Sequence, residues 1–136
     1  MMEVNDELTA LIHEAMPFGR ELELRVVAAE PSRVVGTVKW AARNCTVGGA
    51  LHGGYLMGIA DVLGATCAGA NLPGGATTTT IESKTNFFRP IRAGVVTLES
   101  IPIHVGRTTI VVQTDIRRQD GKLTTRTLQT QAVLGP

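Results

Sequence analysis

The sequence predicts an α+β domain in which an antiparallel sheet wraps around a single, very apolar helix. Three observations carry this expectation. Residues 53–70 are apolar on nearly every side at a 3.6-residue period, so a helix there must be enclosed by protein. The segments before and after it alternate with a period of two, as half-buried strands do. Short connections join those strands, and a sheet with one apolar face needs a covering layer that only this helix can supply.

Each element follows in chain order. Val4, Leu8, Leu11, Ile12, Ala15 and Met16 share one helical face, giving a short amphipathic packing helix ahead of a break at Pro17-Phe18-Gly19. From Glu21, the alternating sets Leu22, Leu24, Val26, Ala28 and Val34, Gly36, Val38, Trp40 read as two strands of a hairpin around Pro31. Residues 41–51 are small, rich in glycine and without period, hence a loop. The long helix runs from Gly53 to about Ala70, with Leu56, Ile59, Ala60, Leu63 and Cys67 on one stripe and Met57 and Val62 widening it. Asn71-Leu72-Pro73-Gly74-Gly75 stops it. Strands are expected over 77–88, 95–105, 108–116 and 123–134. The four threonines at 77–80 suit a strand, Asp120-Gly121 a tight hairpin, and Pro102 an edge position or a bulge.

The chain of 136 residues accommodates one domain, 1–136, with residues 1–19 as a helical extension. A formal charge of +1 supplies none of the field that a polyanion would need, so nucleic acid is not an expected partner. Cys45 and Cys67 stand apart, and the three histidines have no acidic or thiol neighbour at ligand spacing, so no metal is expected. His13 is expected on an exposed helix face, His104 has no visible partner, and Cys67 packs. The acidic N-terminus is not a secretory signal, and no apolar run reaches the roughly 18 residues of a membrane helix, so a cytoplasmic protein without membrane partners is expected.

One residue breaks the pattern. Asp61 lies mid-helix between Ile59-Ala60 and Val62-Leu63, where an ionised carboxylate costs on the order of several kcal/mol unless compensated. Either it lies on a narrow exposed edge or pairs with a strand arginine such as Arg89 or Arg107, or it is a catalytic base or nucleophile. The second reading gains weight from His52-Gly53-Gly54 at the start of the helix. Glycines there let a ligand approach unpaired N–H donors at the positive end of the helix dipole, a natural cradle for an oxyanion.

His52-Gly53-Gly54 with Asp61 eight residues beyond Gly53, then Asn86-Phe87-Phe88-Arg89-Pro90 before Ala93-Gly94, Gly106-Arg107 and Asp120-Gly121-Lys122, resemble the hotdog-fold acyl-CoA thioesterases. The branch typified by the phenylacetate-pathway thioesterase is the most similar, over roughly residues 20–134. The resemblance implies a helix wrapped by a curved sheet, a homodimer or homotetramer, and hydrolysis of an acyl-CoA thioester. No cofactor is implied, since coenzyme A is part of the substrate. It makes Asp61 the general base or nucleophile and Gly53 the N–H that polarises the carbonyl. It also implies an upstream polar residue, at Asn44 or at Thr46 if the spacing is kept, and an assisting hydroxyl at Thr80. His52, Gly54, Arg89 and Arg107 are the substrate-binding candidates, with Lys84 and Arg92 further cations for coenzyme A phosphates.

Spacing adds a separate expectation. Eight helical residues at ~1.5 Å each put the Gly53 donor and Asp61 about 12 Å apart along the axis, too far to meet at one carbonyl group. If both serve one reaction, they come from different copies of the chain across a two-fold axis, giving intersubunit active sites. A hydroxyacyl-thioester dehydratase and a non-catalytic acyl-CoA-binding module of the same fold are the rival readings. The acyl group is expected to be aromatic or of medium chain length.

Overall fold

The computed structural model describes residues 2–136. Its elements are α1 (Asp6–Ala15), α2 (Pro17–Glu21), β1 (Arg25–Glu30), β2 (Arg33–Lys39), a 3-10 turn at Ala42–Asn44, α3 (Gly53–Gly69), β3 (Thr77–Phe87), β4 (Val95–Val105), β5 (Thr109–Arg117) and β6 (Leu123–Leu134). The strands form one six-stranded sheet in the order β1-β2-β4-β5-β6-β3, and every neighbouring pair is antiparallel. With α3 lying against it, this is the hotdog arrangement that the sequence predicts.

α3 exists because it is wrapped. Leu56, Ile59, Ala60, Leu63 and Cys67 are buried on it and form one core with Val34 and Val38 of β2, Val96 and Leu98 of β4, and Ile110, Val112 and Ile116 of β5. These strand residues recur at every second position, so each strand shows α3 its apolar face. β6 departs from that rule. Its inward residues Thr125, Thr127, Gln129 and Gln131 are all fully buried, while Leu128 points outward and is 39% exposed. The face beneath α3 is thus apolar on one side and polar on the other.

The two sheet edges differ. Along β1, Val26 N–H donates to Thr9 Oγ1 (2.9 Å) and Val26 C=O accepts from Asn5 N–H (2.9 Å), so α1 and its N-cap occupy that edge. β3, at the other end, pairs with β6 alone and carries Ile81 and Phe87 largely exposed.

Some local expectations are corrected and others hold. The first helix ends ahead of Pro17 as expected, with Met16 non-helical, but Pro17-Phe18-Gly19 then opens a second helix, α2, where Pro17 occupies the first helical position and its missing N–H costs nothing. The first strand consequently begins at Arg25 rather than near Glu21. Asp120-Gly121 does form a tight hairpin turn: Gly121 N–H donates to Arg118 C=O at 2.8 Å, Arg118 N–H donates to Lys122 C=O at 3.2 Å, and Gly121 takes the positive φ (84°) that the turn needs. Pro102, too, is as expected: it sits at a register shift opposite β5, in a part of β4 that has run past the end of β2. His13 is half-buried, not exposed, and its Nε2–H donates to Leu24 C=O at 2.6 Å.

Leu63 is fully buried at the centre of this packing. Replacing it with alanine removes contacts to the sheet and leaves a cavity, so Leu63→Ala is expected to lower unfolding free energy by about 2–5 kcal/mol, measured as a fall in denaturation midpoint at constant m-value.

Candidate active site

The start of α3 is built from the loop before it and the segment after β3. His52 is the N-cap: its Nδ1 accepts the Gly54 N–H at 2.8 Å, and the approach is so close that a Cβ at Gly54 would lie 3.1 Å from that nitrogen. The Gly54 N–H is therefore taken within the chain. Gly53 N–H has no acceptor among the described residues, which leaves it as the available donor at the positive end of the helix. A cleft of about 340 Å³ opens beside it, lined by Gly53, Leu56, Phe87, Phe88, Arg89 and Ile91 among others. Both phenylalanines are about half exposed, and the Phe87 ring lies against Gly53, 3.1 Å from where a Cβ would stand. Arg89 Nη1 donates to Leu123 C=O at 2.8 Å, fixing the guanidinium at the rim.

The loop before α3 resolves the spacing of the upstream polar position. Thr46 N–H donates to Ala50 C=O (2.8 Å), and Gly48 and Gly49 both adopt positive φ (85° and 80°), so residues 46–50 fold out as an excursion. Trp40 Nε1–H pins it through Gly49 C=O at 3.0 Å. With that excursion set aside, Asn44 lies beside the helix start, its C=O accepting His52 N–H at 2.8 Å, whereas Thr46 stands in the exposed loop.

Asp61 lies two turns further along α3, half-buried over the polar side of the sheet. No arginine reaches it: the expected pairing with Arg89 or Arg107 is absent among the described residues, because Arg89 serves the other end of the helix and Arg107 lies in the exposed β4–β5 connection. Its compensation is neutral. Oδ1 accepts from Thr80 Oγ1 on β3 (2.9 Å) and from Gln129 Nε2 on β6 (2.7 Å), and Gln131 Nε2 in turn donates to Thr80 Oγ1 (2.7 Å). Oδ2 has no partner among the described residues. Thr80 is thus where the sequence places an assisting hydroxyl. Gln129 and Gln131 are not among the residues that the sequence singles out, although Gln129 beside the outward Leu128 is a legible sign of a polar residue turned inward.

One chain therefore gathers these residues into two clusters: Gly53 with Asn44, His52 and Arg89 at the helix start, and Asp61 with Thr80 and Gln129 two turns on. Lys84, Arg92 and Arg107 join neither and are exposed. A larger groove, about 1350 Å³, lies on the outer face of the sheet beneath α1, between Thr9, His13, Arg25, Thr37 and Thr97, and meets none of these groups.

Comparison with known proteins places this geometry. Residues 48–125 match the family described as the thioesterase superfamily. A Saccharolobus solfataricus protein named "Putative esterase" is 32% identical over 102 residues, 75% of this chain and 72% of that protein. A Haemophilus influenzae protein of the same name is 37% identical over 75 residues, 55% of this chain, and the match spans only about half (54%) of that relative's length. Among solved structures, a thioesterase from Haemophilus influenzae superposes with a TM-score of 0.88 at 27% identity, covering 99% of this chain and 93% of that one. A mutant thioesterase from Pseudomonas aeruginosa gives 0.85 at 26% identity, covering 93% of each chain.

Tyr55, the sole tyrosine, fastens the helix start by donating its hydroxyl to Leu22 C=O at 2.9 Å. Burial first, and the Glu23 carboxylate second, push its phenol up to about 12, with Arg43 opposing. A folded-state value above the unfolded one means that this contribution to stability is complete below pH 10 and is lost as pH rises through about 12. Ultraviolet titration of tyrosinate in the native protein is expected to show its midpoint near 12, returning towards 10 in denaturant.

Proposed function

The chain belongs to the thioesterase superfamily, and from that premise we propose that it hydrolyses acyl-CoA thioesters at a site shared between two copies of itself. The observation that carries the reading is Asp61: a carboxylate on an apolar helix, with one oxygen held by two neutral donors and the other left open. Such an oxygen either takes a proton from an attacking water or attacks the carbonyl itself. On the water route, the C–O bond forms as the proton passes to Oδ2, the developing oxyanion sits on Gly53 N–H, and the C–S bond breaks to release coenzyme A thiolate and the free acid. Asn44 helps orient the thioester or the water, while His52, Gly54 and Arg89 shape the entrance. Arg107, exposed and without an ion pair, is a cation for coenzyme A phosphates.

The two half-sites lie about 12 Å apart on one helix, so a single chain does not close around one carbonyl. The bare edge of β3 supports the reading that two copies meet there and that Asp61 of one faces Gly53 of the other. The acyl group of this reading is aromatic or of medium chain length, the first entering beside the exposed Phe87 and Phe88.

Free-thiol release across a panel of aromatic and medium-chain acyl-CoA esters is the direct test; an enoyl product without thiol release would overturn the reading in favour of dehydration. Asp61→Asn is expected to remove most turnover while KM changes little. Gly53→Pro deletes one N–H at a first-turn position whose backbone suits proline, His52 before it being extended, and its ring requires the half-exposed Phe87 side chain to give way by a few tenths of an ångström. It is also expected to be inactive. Mixing the two inactive variants at equal amounts should restore about a quarter of wild-type activity, since half the dimers are hybrids with one intact site each. No recovery on verified subunit exchange would exclude the shared site.

A further inference from the structure

The geometry points to Gln129 as the positioning residue for the proposed reaction: its buried amide, seated against Gly64, fixes Asp61 Oδ1 so that Oδ2 is the oxygen presented to the substrate. This rests on the thioesterase reading above and adds to it a residue that acts through Asp61.

Gln129 is fully buried on β6, between Val112 of β5 and Ser83 of β3 in the sheet register. Packing alone would be served there by leucine or methionine. An amide in such a place has to use its polar atoms. Nε2 does so on Asp61 at 2.7 Å, while Oε1 is buried with no donor among the described residues. The bond to Asp61 is thus the hydrogen bond that orients the amide, and the glutamine is explained by the aspartate.

Gly64 makes the arrangement possible. It follows Asp61 by one helical turn and faces β6, and a Cβ there would stand 1.8 Å from Gln129 Oε1 and 2.7 Å from its Cδ. Any side chain at 64 would drive the amide off its position. Gln131 converges on the same oxygen by way of Thr80: its Nε2 donates to Thr80 Oγ1, and the threonine hydroxyl donates onward to Asp61 Oδ1. Two donors from two strands engage Oδ1. Turning the carboxylate out of this orientation would break both bonds, so one of its two equivalent oxygens is held and the other faces the open side.

The test compares wild type, Gln129→Met, Gln129→Ala, Gly64→Ala and the Gly64→Ala/Gln129→Ala double variant by steady-state thiol release, with thermal melts to confirm folding. Methionine keeps the volume and removes the donor; alanine at 64 keeps the donor and displaces it. Each is expected to lower kcat about 10- to 100-fold, as a misplacement of about 1 Å does, with KM within about threefold. Gly64→Ala should cost no more than about twofold once Gln129 is already alanine, because its effect runs through the amide. A folded Gln129→Met with wild-type kcat, a loss confined to KM, or independent multiplication of the two effects would overturn the inference while leaving the thioesterase reading intact. Absence of thiol release by wild type across the whole panel would instead overturn that reading, and this inference with it.

Discussion

A helix as apolar as α3 is stable only when protein covers it, and a carboxylate in its middle is stable only when that cover supplies hydrogen bonds. The two requirements pull the sheet in opposite directions. β2, β4 and β5 meet the first with Val34, Val38, Val96, Leu98, Ile110, Val112 and Ile116. β6 and β3 meet the second with Gln129 and Thr80. The boundary between apolar and polar wall runs beneath α3, and Asp61 stands on the polar side of it. Neutral donors satisfy the carboxylate without cancelling its charge, as an arginine would, and leave it able to accept a proton.

The same division separates the two halves of the proposed chemistry. Donor and acceptor ends of α3 are held by different parts of the chain: the helix start by His52, Tyr55 and the 46–50 excursion, the acid by the strands that follow the helix. A rigid rod of helix then sets their distance. Because the separation comes from helical rise rather than from side-chain rotamers, no local adjustment closes it.

What the sequence revealed depended on whether a residue broke its local pattern. Asp61 was legible because it interrupts an apolar period, and Gly53 because His52-Gly53-Gly54 stands at the helix start eight residues before that acid. Thr80 followed from the resemblance and is where the hydroxyl is found. Gln129 and Gln131 were hidden because their strand inverts the usual rule: amides turn inward while Leu128 faces out, so reading apolar residues as core assigns the wrong face. Asn44 and Thr46 were not separable by counting, since the length of the loop excursion is set by two glycines at positive φ. The partner of Asp61 was sought among arginines, but which cation reaches which acid is decided by tertiary distances that spacing along the chain does not contain.

The seal on β1 bears on how many chains can join. Thr9 and Asn5 occupy both polar groups of Val26, so α1 and its cap cover the start of the β1 edge, whereas β3 pairs on one side only. Two copies joined β3 to β3 would carry their α1-flanked β1 edges at the two extremities. In such a pair the mostly exposed margin of β3, otherwise open to further strands, is used up.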